Sequence, residues 1–264
     1  IHSRPCFLCQ TNRPQEQEFI SYRNYQILVN PYPIFKHHFT IADKEHKSQS
    51  IVGRFKDMIE FTDIMREYFL LYNGPECGAS APDHAHFQAC SKEESMQGSY
   101  YDHIELIDND KVRISYEDFP YSFIRIQAKN KKTMSKTFHL IYDILAANNN
   151  GKEPMMNILA WYGLEITKEH FRKNYDDEFE SVAEHPYNCV IFLRSKHRPD
   201  CYYAKGDEQI LISPAIAEMN GIFPIVREED MEKLTPEKVY DIYREVSISK
   251  EKLQEIIERI KAAL

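Results

Sequence analysis

Residues 84–88 read His-Ala-His-Phe-Gln and are the part of the sequence best suited to chemistry. Side chains repeat every second residue along an extended strand, so His84, His86 and Gln88 would share one face. Two imidazoles and a carboxamide on one face do not build an apolar core. The small residues just upstream, from Gly78 to Pro82, fit a tight turn that brings the backbone close to a ligand. We therefore predict a functional site on this strand.

Together with Asn73, Gly78 and Ser80, this stretch resembles the His-x-His-x-Gln signature of the transferase branch of the histidine-triad superfamily. That branch includes galactose-1-phosphate uridylyltransferase, diadenosine tetraphosphate phosphorylase and the GDP-hexose phosphorylases, whereas the hydrolase branch ends the motif with His. One departure is Asp83, which stands where the uridylyltransferases have Pro directly before the first His. A weaker similarity to the GDP-hexose phosphorylases covers residues 188–234.

The resemblance implies that His86 attacks an α-phosphate and carries the nucleotidyl group between two displacement steps. Neutral imidazole is a competent nucleophile near pH 7, because its unperturbed pKa is about 6.5. Gln88 differs from a His at the same position, since an amide has no titrating proton and can only donate and accept hydrogen bonds. Gln88 therefore favours transfer over hydrolysis, with phosphates as the leaving and accepting groups.

Four further residues are candidates for substrate binding, and each has a simpler alternative. Gly78 and Ser80 could cradle a phosphate through main-chain amides and a hydroxyl, although Ser80 equally fits a turn-stabilising role. Asn30 stands where the family places a ribose-contacting residue, and a turn Asn before Pro explains it nearly as well. Asn73 is interpreted as a phosphate ligand or as a helix C-cap.

Cys6 and Cys9 form a Cys-x-x-Cys pair, which supplies two thiolates at chelating distance. The resemblance implies that His46 and His84 complete a closed, structural zinc site that orients the motif strand. A redox pair and free thiols remain alternatives. The adjacent His37 and His38 are interpreted as strand-edge residues.

Composition restricts the partners. The 264 residues carry a net charge of −8, which argues against nonspecific binding to DNA or RNA. No apolar stretch reaches the roughly 18 residues of a membrane span. The densest basic cluster comprises Arg194, Lys196, His197 and Arg198. It is interpreted as a solvated loop, with contacts to a polyanionic substrate as the alternative. Six unevenly spaced cysteines do not suggest a disulfide scaffold and indicate a reducing compartment, so we expect a cytoplasmic protein.

Periodicity predicts the surrounding elements. Strands are expected at 25–29, 38–42, 122–127, 157–161 and 189–193. Helices are expected from Ile51 to near Asn73, around 138–145, from Thr235, and over 253–260. The acidic stretch 175–178 is expected to be a solvated loop.

These observations predict an α+β protein with histidine-triad-like antiparallel sheets and flanking helices. We expect two fused halves without a detectable sequence repeat: a catalytic half at residues 1–104 with the zinc site, and residues 105–264, which complete the fold. The predicted activity is nucleotidyl transfer from a nucleoside-diphosphate sugar or dinucleoside polyphosphate to phosphate or a sugar phosphate, with a GDP-hexose phosphorylase favoured. A uridylyltransferase and a non-catalytic nucleotide sensor are the alternatives. The resemblance also implies a homodimer.

Overall fold

A computed structural model describes residues 5–92, 104–117, 120–147, 149–163 and 184–264. The strands are β1 Phe19–Tyr22, β2 Tyr25–Val29, β3 His38–Asp43, β4 Tyr68–Asn73, β5 His86–Ser91, β6 Ile104–Asp108, β7 Val112–Glu117, β8 Phe123–Ala128, β9 Met156–Tyr162 and β10 Tyr187–Leu193. The α-helices are α1 Phe55–Ile64, α2 Lys131–Ala146, α3 Asp200–Tyr203, α4 Ile216–Met219, α5 Glu228–Met231, α6 Pro236–Val246 and α7 Lys250–Ala263. Short 3₁₀ turns cover Gln10–Asn12 and Gly206–Glu208.

The described strands form one ten-stranded sheet in the order β1-β2-β3-β5-β4-β9-β10-β8-β7-β6. Every neighbouring pair is antiparallel. Strands from residues 19–91 occupy one half of the sheet, and strands from residues 104–193 occupy the other. The two halves meet where β4 pairs with β9, with Asn73 opposite Asn157. The predicted α+β class with antiparallel strands is confirmed.

The two faces of the sheet have different covers. Helices α1, α2 and α7 pack on one face over the main hydrophobic core. Phe55 of α1 and Phe138 of α2 stack there with their ring centroids 3.5 Å apart. On the other face, α4 and α6 cover the second half of the sheet through Ile216 and Tyr243. The strands β2 to β5 instead border a cavity on that face.

The predicted helix from Ile51 to Asn73 is wrong in its second part. The helix ends at Ile64, and residues 68–73 form the central strand β4. Leu70 and Tyr72 of this strand pack under the helices, while Leu71 packs on the opposite face. A short apolar run buried on both sides is typical of an internal strand, and its periodicity resembles that of a buried helix.

Most other predicted elements are confirmed. The strands correspond to β2, β3, β8, β9 and β10, and the helices to α2, α6 and α7. The hydroxyl of Thr235 accepts a hydrogen bond from the backbone N–H of Lys238 and caps α6, with Pro236 at the first helical position. The predicted loop at 175–178 lies outside the described residues. No helix in the described ranges combines the length and apolarity needed to cross a membrane.

Candidate functional site

The motif strand β5 alternates between core and site. Phe87 and Ala89 point into the core beneath the helices. His86 and Gln88 therefore lie on the other face, as the sequence predicts. Across β3, the small Ala42 stands opposite His86, and Thr40 stands opposite Gln88. The strand thus presents the imidazole and the amide side by side.

The His86 ring has a defined tautomer. Its Nδ1 lies 2.8 Å from the carbonyl oxygen of His84, which can only accept a hydrogen bond. Nδ1 therefore carries the proton and Nε2 carries the lone pair. Burial lowers the pKa of His86 to about 4, so the ring is neutral at pH 7.

Gln49 holds the backbone of His86 and was missed by the sequence reasoning. Its Oε1 accepts from the N–H of His86 at 2.8 Å, and its Nε2 donates to the carbonyls of His86 and Asn73 at 3.0 and 2.9 Å. The pairing of β4 with β5 stops at Leu71 opposite Gln88. The Gln49 amide therefore takes the place of the next ladder rung, and nothing in the local sequence signals this role.

His38 is a second missed residue. It is buried at the start of β3, and its Nε2 lies 3.0 Å from Oε1 of Gln88. Its neighbour His37 is exposed, so the interpretation of both residues as strand-edge residues is wrong for His38. The signal was available in the alternation of β3, which puts His38, Thr40 and Ala42 on one face.

The predicted substrate-binding residues line one cavity. Asn30, Asn73, Gly78 and Ser80 border it together with Gln88, and its volume is about 580 Å³. Aromatic and aliphatic side chains of the N-terminal segment and of the loop after β2 form its outer walls, including Phe7, Leu28, Tyr32 and Phe35. His86 is not among the lining residues. It is 3% exposed and lies next to Gln88 on the strand.

Both candidate asparagines make structural contacts. Oδ1 of Asn30 accepts from the N–H of Tyr32 at 2.9 Å, which is the predicted turn, while its Nδ2 donates to Thr40 Oγ1 at 3.2 Å. Oδ1 of Asn73 accepts from Asn157 Nδ2 at 2.7 Å and from the N–H of Ile216 at 2.8 Å. The helix C-cap interpretation of Asn73 is wrong, because Asn73 ends a strand. Asn73 instead connects both halves of the sheet at the cavity.

Gly78 is required by a close approach. Its φ is +88°, and a Cβ at this position would lie 2.5 Å from Cβ of Ala215. Any larger residue would push away Ala215, which directly precedes α4. Ala215 and the first three residues of α4 form part of the cavity wall. Ser80 is exposed at the same wall.

Arg194 of the basic cluster is buried rather than solvated. Its guanidinium donates to Asn157 Oδ1 at 2.6 Å and to carbonyls of the chain, including that of Pro214 at 2.9 Å. The other cations of this segment are paired locally: Lys196 contacts Asp200 and Glu245, and Arg198 donates to Ser213. The loop interpretation therefore holds for its outer residues, and Arg194 supports the frame around Asn157.

The four predicted metal ligands converge. One ligand atom from each of Cys6, Cys9, His46 and His84 lies within 4.8 Å of the others. Nδ1 of His84 lies 3.3 Å from the Cys6 sulfur, and Nδ1 of His46 lies 3.2 Å from the Cys9 sulfur. Nε2 of His84 contacts the carbonyl oxygen of Asp43 at 2.8 Å, which leaves Nδ1 free of a proton and directed at the thiols. The donor set and this second contact fit a divalent metal ion.

The chain is similar to known proteins in sequence over residues 1–91 and in fold over most of its length. A family model described as a domain of unknown function, DUF4922, matches residues 1–91. No curated protein matches the sequence. The crystal structure of yeast Ap4A phosphorylase Apa2 aligns with a TM-score of 0.56 and 15% identity, over 86% of this chain and 75% of that chain.

Two complexes of the same yeast enzyme align similarly. The complex with AMP has a TM-score of 0.51 at 17% identity, over 86% of this chain and 74% of that chain. The complex with Ap4A has a TM-score of 0.51 at 15% identity, over 85% and 74%. The chain therefore has the fold of this phosphorylase. The predicted resemblance to a diadenosine tetraphosphate phosphorylase is confirmed as a likeness of fold.

Proposed function

We propose that the protein is a nucleotidyltransferase of the phosphorylase type, which carries a nucleotidyl group on His86. The observation that supports this most strongly is the hydrogen bond from Nδ1 of His86 to the carbonyl oxygen of His84. It directs the lone pair of Nε2 away from the backbone, on the strand face that borders the cavity. The same face presents Gln88, which has no proton to give to water.

The reaction consists of two displacements at the α-phosphorus. Nε2 of His86 forms a P–N bond while the P–O bond to the leaving group breaks. The leaving group is a sugar phosphate from a nucleoside-diphosphate sugar, or a nucleoside polyphosphate from a dinucleoside polyphosphate. The ring becomes cationic, and its Nδ1–H stays hydrogen-bonded to the carbonyl of His84. An oxygen of inorganic phosphate then attacks the same phosphorus, the P–N bond breaks, and a nucleoside diphosphate leaves. The two steps together replace one difficult displacement with two easier ones.

We expect the cavity to bind a substrate that contains a nucleotide and a second phosphorylated group. Its wall includes Ala215 to Glu218, which belong to the segment similar to the GDP-hexose phosphorylases. We therefore favour a GDP-hexose as the substrate. A dinucleoside polyphosphate is the other donor class, since the yeast structures with this fold are of an Ap4A phosphorylase.

We infer that the metal held by Cys6, Cys9, His46 and His84 is zinc, because two thiolates and two imidazoles are typical of closed zinc sites. Such an ion would fix the N-terminal segment to the motif strand through His84, two residues before the nucleophile. None of the six cysteines, all of which lie in the described residues, forms a disulfide, which fits a reducing compartment, and we propose a cytoplasmic protein. A homodimer and the lack of nucleic-acid or membrane partners remain predictions.

The covalent intermediate is the decisive test. Wild-type protein is mixed with GDP-hexose, UDP-hexose or Ap4A in the absence of phosphate, and the intact mass is measured. We expect an added nucleoside monophosphate that is lost in acid, as a phosphoramidate is. Peptide mapping should place it on His86.

The matched control is His37→Ala, which removes an exposed histidine next to β3 and should leave the adduct intact. An adduct on another residue would contradict the mechanism. Binding without any adduct or turnover would favour the nucleotide sensor. An adduct formed from UDP-hexose and discharged by a sugar 1-phosphate rather than by phosphate would favour the uridylyltransferase.

A further inference from the structure

His38 has two polar contacts that together determine which of its nitrogens carries the proton. The backbone N–H of Ile34 donates to Nδ1 at 3.2 Å, so Nδ1 carries a lone pair. Burial lowers the pKa of His38, so the ring is neutral near pH 7. The single ring proton therefore sits on Nε2. This nitrogen lies 3.0 Å from Oε1 of Gln88 and donates to it.

We propose that His38 is a positioning residue that fixes the orientation of the Gln88 amide. With Oε1 held by His38, the NH₂ group of Gln88 is the end that remains for the cavity. The site then presents hydrogen-bond donors, which suit the anionic oxygens of a phosphate group. This inference rests on the proposed function, because it assigns the orientation of an amide beside the nucleophile.

The neighbouring polar groups favour this orientation. Nδ2 of Asn30 lies 3.5 Å from Nε2 of His38, too far for a good hydrogen bond, and it donates to Thr40 at 3.2 Å instead. If the Gln88 amide were flipped, its NH₂ group would face the N–H of His38. Two donors would then meet at a partly buried contact, and neither would be satisfied there.

The experiment must distinguish the positioning role of His38 from a purely structural role. Its ring packs edge-on against Phe35, with centroids 5.2 Å apart, so a large substitution could act through packing alone. Two variants distinguish the roles. His38→Phe keeps an aromatic ring but has no donor, and His38→Gln supplies an amide donor in place of Nε2–H.

The first measurement needs no substrate. Long-range ¹H–¹⁵N correlation of the imidazole side chains in the intact protein reports the tautomer of each neutral histidine. We expect His38 to show a protonated Nε2 and an unprotonated Nδ1. The opposite tautomer would make Nε2 an acceptor, and the proposal would be wrong whether or not the protein is an enzyme.

The second measurement uses whichever of GDP-hexose, UDP-hexose and Ap4A wild type converts fastest, with inorganic phosphate as acceptor. We expect His38→Phe to lower kcat by about tenfold, the value of one hydrogen bond, with little change in KM. His38→Gln should recover most of kcat. A purely structural role predicts that both variants lose stability and activity together, without rescue.

The outcomes separate the two proposals. If wild type forms the His86 adduct but His38→Phe has the wild-type kcat, the positioning role is wrong and the proposed function stands. If wild type forms no adduct with any of the three nucleotides, the proposed function fails, and the tautomer measurement still decides the orientation of the Gln88 amide.

Discussion

Two strands in equivalent places of the sheet are used differently. β5 is the fourth strand from the β1 edge, and β10 is the fourth from the β6 edge. On the face away from α1, α2 and α7, β5 presents His86 and Gln88. On the same face, β10 presents Val190 and Phe192, which are buried at 7% and 2% exposure.

The difference follows from what covers each strand. Val190 and Phe192 belong to a hydrophobic cluster with residues of α4 and α6, so the second half of the sheet has a closed second face. The cavity lies over the first half, where His38, Thr40, Asn73 and Gln88 border it beside the apolar Leu28 and Leu71. An arrangement of strands that is alike in both halves thus carries a site in one half only. The division into residues 1–104 and 105–264 as fused halves remains a prediction.

The largest effects should come from truncating one side chain on each of these two strands. His86→Ala removes the nucleophile, and we expect turnover to fall at least about a thousandfold, because no neighbouring group on β5 can form the P–N bond. Phe192→Ala empties a core position, and we expect the free energy of unfolding to fall by about 3–5 kcal/mol. Turnover and urea denaturation of both variants are the measurements.

The two variants must differ in kind for the comparison to hold. His86→Ala should remain folded, as judged by circular dichroism, and Phe192→Ala should keep its turnover per folded molecule. If Phe192→Ala stays folded but loses turnover, β10 contributes to the chemistry and the two halves are not divided as argued.

Sequence reasoning found most of the fold because alternation and helical spacing are local signals. It failed at β4, where residues 68–73 are apolar on both faces and therefore lack the period-2 pattern. It also did not predict β7 or the two edge strands β1 and β6. Short edge strands have only one partner and carry a weaker hydrophobic pattern.

The site was predictable where residue type and spacing are unusual. The motif predicted that His86 and Gln88 share one face of a strand. The resemblance predicted that Cys6, Cys9 and His46 are ligands of one metal ion. The roles of Gln49 and His38 were not predicted, because they depend on which backbone and side-chain atoms lie beside these residues in space. A glutamine that replaces a ladder rung looks in sequence like any other glutamine.

The next largest effect concerns the proposed metal ion, whose four candidate ligands all lie between residues 6 and 84. Cys6→Ser should lower the metal content from about one zinc per chain to near zero, because a closed site needs all four ligands. Elemental analysis of the purified protein and thermal denaturation are the measurements. We expect a lower Tm, since the N-terminal segment would lose its attachment to His84.

Cys201→Ser is the matched control, because Cys201 is a buried thiol of the second half and lies outside the cluster. It should keep the metal. If wild-type protein is free of metal, folded and active, the four residues are only a cluster of thiols and imidazoles. A metal ion would then not distinguish the first half from the second.

The smallest and most specific effect should come from Gln88→His. The amide cannot relay a proton, so water should compete poorly with phosphate for the nucleotidyl intermediate. A histidine at this position restores a titrating group that can activate water. We expect the ratio of nucleoside monophosphate to nucleoside diphosphate, formed in one phosphate-containing assay, to rise about a hundredfold, the lower end of the effect of general acid–base catalysis.

The same assay on wild type tests the premise of this prediction. Wild type should form mostly nucleoside diphosphate, because the Gln88 amide offers hydrogen bonds but no titrating proton. If wild type already forms mostly monophosphate, the protein is a hydrolase in spite of Gln88. The polar face of β5 would then activate water by a group other than residue 88, and the buried Glu218 in the cavity wall, whose pKa is raised by burial, would be the first to substitute.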